Sequence, residues 1–165
     1  MYHISLCRAS CVLLIMCLSV VICGCGSAAE KPEFASKLVP VTGTVTLNDQ
    51  PLAGVMVIYQ PAKGQAEGEN AFGVTDESGK YTLHTSMVGQ SMEDSQGAVP
   101  GQYKVFIQKL VLPDGSPVGE DITDAEAEEK GARQLLPPKY SSLEETQLTA
   151  TVGPADTTND FNLKD

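Results

Sequence analysis

Tryptophan is missing from the 165 residues, aromatic residues make up only 5% of them, and no cysteine follows residue 25. Each absence narrows the field. Without tryptophan there is no indole platform of the kind that stacks against sugars. With the cysteines confined to the first 25 residues, the remainder has no disulfide framework, no thiolate metal centre and no thiol nucleophile, so it must be held by burial alone. Cations are scarce as well, 11 Lys and Arg against 21 Asp and Glu, for a formal charge of −10 and a pI near 4.5. Phosphate backbones demand clustered Lys and Arg, so no nucleic acid is expected as a partner. The acidic balance speaks to solubility rather than to a ligand. A hydrophobic share of 42% is that of a globular protein and excludes wholesale disorder. The length suits one domain plus an N-terminal segment.

That segment carries all five cysteines, Cys7, Cys11, Cys17, Cys23 and Cys25, and Arg8 is its only charge before Glu30. The apolar run from Cys11 to Ile22 has the length of a secretory h-region and falls short of the ~20 residues that span a bilayer. Cys23 and Cys25 form a C-x-C pair, but no later Cys or His cluster could complete a zinc site. Ile22-Cys23-Gly24-Cys25 resembles the bacterial lipobox, an aliphatic residue, a small residue, Gly or Ala, then Cys. It matches at the first, third and fourth places and departs at the second, where Cys23 stands. Modification at Cys23 instead would put Ile22 where the cleavage site needs a small residue. The resemblance implies cleavage after Gly24, lipidation of Cys25 with palmitate-type acyl chains, and an exported protein anchored in the cell envelope. A secretory signal cleaved nearby and a membrane-spanning anchor are the competing readings. On the lipobox reading residues 1–24 are a signal peptide, and residues 25–38 are the lipidated Cys25 and a flexible tether. The domain then occupies residues 39–165. Loss of residues 1–24 removes Arg8 and no acid, taking the charge to −11. Gly26, not an acid, follows Cys25, which favours the outer membrane over the inner under the enteric sorting rule.

From Val41 the hydrophobic period becomes two. Val41, Val45 and Leu47 share one face of "VTGTVTL" while Thr42, Thr44 and Thr46 share the other. "LAGVMVIYQ" reads as a second strand with Val55, Val57 and Tyr59 inward. In "AFGVTDESGKYTLHT" the alternation is expected to turn Phe72, Val74, Tyr81 and Leu83 inward, around a turn at Asp76-Glu77-Ser78-Gly79. "GQYKVFIQKL" turns Tyr103, Val105 and Ile107 inward, and "QLTATV" and "DFNL" end the chain as short strands. One helix is expected over residues 124–131, with Thr123 and Glu126 in capping-box spacing and Gly131 ending it. Seven strands, one short helix in a long loop and Gly/Pro turns imply an all-β, antiparallel β-sandwich.

"VTGTVTLNDQPLAGVMVIYQP", "GVTDESGKYTL" and "GAVPGQYKVFIQK" resemble, in that order, the motifs of the carboxypeptidase regulatory-like domain, over roughly residues 40–110. "LPPKYSSLEETQLTATV" and "NDFNL" are similar to the ending of small bacterial lipoproteins with this domain. The resemblance implies a transthyretin-like, Ig-like sandwich. Its motifs are turn glycines and core aromatics, which say nothing of an activity.

Chemistry-bearing residues are sparse. After residue 24 the sole histidine is His84, placed on the solvent side with Lys80 and Thr82, so Ser-His and Cys-His pairs have no basis. The metal ligands of true metallocarboxypeptidases belong to another domain. Glu120, Asp121, Asp124, Glu126, Glu128 and Glu129 crowd one segment without the calcium-loop pattern and read as a solvated face. No catalytic, cofactor or metal residue is assigned, and lipidated Cys25 is the one site. The expectation is a non-enzymatic, lipid-anchored envelope protein serving binding or structure, with the membrane and an envelope protein or glycan as partners. The alternatives are an accessory subunit or small carboxylate-dependent hydrolase, which needs converging acids in a concave pocket, and a carbohydrate-binding module, for which Tyr140 is the sole candidate platform. Met56, Ile58 and Phe106 fall on the outward parity of their strands. The segment of residues 110–138 is expected to fold across them through Leu112, Val118, Leu135 and Leu136, the other outcome being an exposed patch.

Overall fold

The structure is a computed structural model, described here for residues 31–63, 68–119 and 122–165. The signal-peptide assignment, the lipidation of Cys25 and the first part of the tether lie outside the described residues, as do Glu120 and Asp121. Among the described residues no helix is long and apolar enough to cross a membrane.

A single 3-10 turn, Glu33–Lys37, precedes the first strand. The strands are β1 (Val41–Leu47), β2 (Gln50–Pro51), β3 (Met56–Pro61), β4 (Ala71–Val74), β5 (Lys80–Thr82), β6 (His84–Thr85), β7 (Gly101–Gln108), β8 (Leu110–Val111), β9 (Arg133–Gln134), β10 (Thr149–Val152), β11 (Thr157–Thr158) and β12 (Phe161–Leu163). The helices are α1 (Asp124–Glu129) and α2 (Pro138–Ser141). The fold is therefore all-β with short helices.

One sheet is built around β1. Its first half pairs antiparallel with β5 and its second half with β2. Along its other edge run β11 and β12, both parallel to β1, Val41 opposite Thr157 and Val45 opposite Phe161. The expectation of a purely antiparallel arrangement is thus corrected at the place where the two ends of the domain meet. Parallel neighbours need a long crossover, and here the rest of the domain supplies it. Between β11 and β12 the ladder is broken at Asn159 and Asp160. There the Asp160 carboxylate, not a main-chain carbonyl, accepts the Thr44 N–H at 2.8 Å. The second sheet runs β10-β7-β3-β4-β6 and is antiparallel throughout. The expected seven strands appear as twelve short segments, because several are interrupted: β5 and β6 are one run of chain that leaves the first sheet and joins the second at the buried Leu83.

The inner faces of both sheets share one core that includes Val41, Val45, Val57, Tyr59, Tyr81, Leu83, Tyr103, Val105, Ile107, Phe161 and Leu163. Tyr59 packs edge-on against Phe161, with ring centroids 6.3 Å apart. The inward sides of β1, β3, β5 and β7 follow the expected parity. Strand β4 does not: Ala71 and Gly73 are inward, and Phe72 and Val74 point outward, Val74 being 56% exposed. Two neighbours impose this. Tyr59 lies opposite Ala71, where a large inward residue would compete for its space. A Cβ on Gly73 would come within 2.4 Å of the Thr82 carbonyl oxygen, so only glycine fits between β4 and β5.

Helix α1 forms where its capping box predicts it. Glu126 donates its N–H to Thr123 Oγ1 at 3.3 Å, its carboxylate accepts the Thr123 N–H at 2.9 Å, and Gly131 takes a positive φ just beyond the end. A second helix, α2, was not expected. Four residues are too few to show a period, and Pro138 at its first position is its only signal. The segment meant to cover the outer face of the second sheet instead folds on itself, β8 pairing with β9, and leaves Leu110 and Leu135 39% and 43% exposed.

Candidate functional site

The two sheets' outer faces meet where the β4–β5 hairpin and the β5–β6 run pass from one sheet to the other. A groove of about 870 Å³ lies along this seam. Strand β1 contributes Thr42 and Thr44, β5 contributes Lys80 and Thr82, and β11 contributes Thr158. Opposite them stand Phe72 and Val74 of β4, His84 of β6, and Met92 from the following loop. One wall is hydroxyl-rich and the other apolar. The volume falls within the range of small-molecule sites, about 300–1,000 Å³.

Three ionisable side chains of the groove, His84, Asp76 and Asp160, are bound to their own chain. His84 Nδ1 lies 2.8 Å from the Met92 carbonyl oxygen. A carbonyl only accepts, so Nδ1 carries the hydrogen and donates it. Asp76 closes the β4–β5 turn by accepting from the Ser78 N–H at 2.8 Å, the Ser78 hydroxyl at 2.7 Å and the Lys80 N–H at 3.0 Å. The Ser78 hydroxyl, followed by the Lys80 N–H, holds the Asp76 carboxyl below the usual carboxylate range. Asp160 accepts both the N–H and the hydroxyl of Thr44.

Beneath the β1 side lies a buried phenol chain. Tyr59 and Tyr81 hydroxyls are 3.0 Å apart, and Tyr81 donates to the Asn159 carbonyl at 2.6 Å. Burial pushes the Tyr59 phenol up to about 12 and Tyr81 upward as well. Neutral phenols near pH 7 act here as donors inside the core, not as bases.

The other residues singled out in the sequence lie apart from the groove. Glu126 caps α1, and Glu128 and Glu129 are exposed. Tyr140 is half-buried, its hydroxyl donating to the Lys164 carbonyl at 2.9 Å and accepting the Lys164 N–H at 3.1 Å. It fastens the C-terminus and presents no open platform. Among the described residues no group of three or more His, Cys, Asp or Glu is placed to hold a metal ion. His84 takes the outward parity expected for it; Phe72 and Val74 as groove residues were not foreseen. The available signal was the glycine between them, since "FGV" can turn both large side chains to one face only if Gly73 takes the tight inward position.

Fold and groove together define an all-β protein with an amphipathic cleft on its outer surface. No family model and no curated protein matches the sequence. Among solved structures the chain is similar to a 9R-lipoxygenase from Cyanothece PCC8801, at 15% identity and a TM-score of 0.34. That alignment covers 84% of this chain and 18% of the lipoxygenase, and a likeness so slight carries no argument about fold or activity.

Proposed function

We propose that this is a lipid-anchored protein of the cell envelope, held in the membrane through Cys25, preferentially the outer one, whose domain is a non-catalytic, transthyretin-like β-sandwich that binds an envelope protein or glycan. The lipobox-like Ile22-Cys23-Gly24-Cys25 supports the anchor. The groove supports binding, and one observation carries that reading: Asp76, Asp160 and His84 Nδ1 are already engaged by their own chain, while threonine hydroxyls and the side chains of Phe72, Val74 and Met92 line the cleft. A hydrolase working through paired carboxylates needs one acid free to give a proton and the other free to attack or to activate water. Asp76 is instead a turn-forming carboxylate held ionised.

The anchor is tested by the mass of the N-terminal peptide from protein extracted from its native membranes. A peptide beginning at acylated Cys25 is expected; an unmodified N-terminus near Ala29, or an intact Met1, overturns the anchor. The non-catalytic reading is tested by incubating the intact protein with isolated envelope glycan. No new reducing ends are expected, and their release by wild type but not by Asp160→Asn would replace binding with hydrolysis.

A further inference from the structure

The loop of residues 86–95, which leaves β6 and returns toward β7, is the most apolar exposed element near the start of the described chain. Val88 is 96% exposed and Met92 57%. Gly89 takes a positive φ at the tip, and Gln90 donates its N–H to the Met87 carbonyl, so Val88 sits on a turn that holds it outward. The far side of the loop is firmly built: the Ser91 hydroxyl donates to Asp94 at 2.8 Å, and the Ser95 hydroxyl to the Met92 carbonyl at 3.0 Å. Lys31 forms an ion pair with Asp94 at 2.6 Å, which places the point where the chain enters the domain beside this loop. From Cys25 to Lys31 there are six residue steps, and an extended chain covers at most about 20 Å in that length.

We propose that this loop is a membrane-contacting element, with Val88 at its tip entering the surface of the bilayer that holds the lipid anchor. The proposal rests on the anchor reading of Cys25. If the acyl chains leave Cys25 into a bilayer, a tether this short keeps the Lys31 corner close to the headgroups, and the loop joined to that corner through Asp94 carries an exposed apolar tip, Val88, to meet them. Charge says which lipid chemistry fits. The loop's acids are Glu93 and Asp94, with Asp94 paired to Lys31, and the chain as a whole is strongly acidic. Attraction to anionic headgroups is therefore not the force. Contact is apolar and suits a zwitterionic surface, in the manner of side chains that sit at the headgroup boundary.

The test uses full-length protein expressed with its own leader, extracted and reconstituted into phosphatidylcholine vesicles. After lipidation of Cys25 no free thiol remains, so Val88→Cys takes a single fluorophore, and the exposure of Val88 keeps the fold indifferent to the change. Thr151→Cys is the control. It is exposed on β10, the opposite edge of the five-stranded sheet from β6 and about 19 Å away at four strand spacings. Nitroxide-bearing lipids are expected to quench the label at residue 88 several-fold more than at residue 151. Equal or absent quenching at both positions, with the N-terminal peptide acylated, overturns the loop's role and leaves the anchor standing. An unacylated N-terminal peptide in the same preparation overturns both.

Discussion

Across β1 and β5 the side chains that point away from the core are Thr42, Thr44, Thr46, Lys80 and Thr82; across β7, β3 and β4 an apolar group, Phe106, Met56, Ile58, Phe72 and Val74, stands among Gln102, Lys104, Gln108 and Gln60. In register, Phe106, Ile58, Phe72 and His84 form one row over four strands, with Met56 and Val74 in the next. The inner faces of the same two sheets are alike, valines and tyrosines around one core. A fold of this kind needs only the inner parity to be apolar. What the outer parity carries is set by something other than folding, and the groove lies where the two unlike surfaces join.

The two sheets also differ in how tightly they close, and this gives the largest expected effect. A Cβ on Gly43 of β1 would lie 1.8 Å from the Asn159 carbonyl oxygen and 2.7 Å from the Tyr81 hydroxyl; on Gly73 of β4 the worst approach is 2.4 Å. Backbone atoms cannot swing away, so both Gly43→Ala and Gly73→Ala force a strand to move. Gly43→Ala should destabilise by about 3 kcal/mol or more and Gly73→Ala by about 2 kcal/mol. Urea unfolding of the two variants ranks them. The reverse order would mean that the β1 sheet is the more compliant.

The next effect comes from the phenols between the sheets. Tyr81→Phe strands both the Tyr59 hydroxyl and the Asn159 carbonyl and should cost about 2 kcal/mol, against about 1 kcal/mol for Tyr59→Phe, which removes only a donor to Tyr81. Alkali tests the same group. Tyr59 and Tyr103 are pushed up to about 12 in the fold and Tyr81 is raised too, whereas an unfolded tyrosine ionises near 10. Above pH ~10 the unfolded chain binds fewer protons than the native one, so stability is intact below that pH and falls as pH rises toward 12. The slope is about 1.4 kcal/mol per unit for each phenol still neutral in the fold. Unfolding midpoints at pH ~9 and ~11 should therefore diverge, and Tyr103→Phe should narrow the gap. A pH-independent midpoint over that interval would remove the phenols from the core account.

Much of the fold was legible because two-residue alternation is strong in β1, β3 and β7, and because Thr123 and Glu126 spell a capping box. Other features were not. The parallel pairing of β1 with β11 and β12 joins residues over a hundred positions apart, and no local pattern encodes which edge a returning strand takes. The inward turn of Gly73 inverted β4, since alternation in a four-residue strand is equally good in either parity until a neighbour such as Tyr59 decides it. The groove was hidden by the same inversion: with Phe72 and Val74 counted as core, the apolar wall beside His84 could not be seen. The small helix α2 and the self-paired β8–β9 segment carry too little pattern to place, and of the three residues expected to be covered Ile58 and Phe106 are half-buried while Met56 is exposed.

The smallest effect on stability is the most direct probe of the comparison between outer faces. Val74 is 56% and Met56 42% exposed, and they are neighbours across β3 and β4. The double change Met56→Thr and Val74→Thr copies the threonine surface of β1 onto the second sheet and puts β-branched side chains, which suit a strand, at both places. Its stability should stay within about 0.5 kcal/mol of wild type per site, as for surface substitutions generally. Its capacity for an apolar reporter dye such as ANS should fall, because the dye reads contiguous exposed apolar surface rather than stability. Thr42→Val makes the complementary change on the hydroxyl-rich wall. Thr42 is exposed in the groove, so the added methyl should raise dye binding with little change in midpoint. If both variants bind dye as wild type does, the contrast between the two faces has no consequence for recognition, and the groove is a seam of the fold rather than a place where a ligand is held.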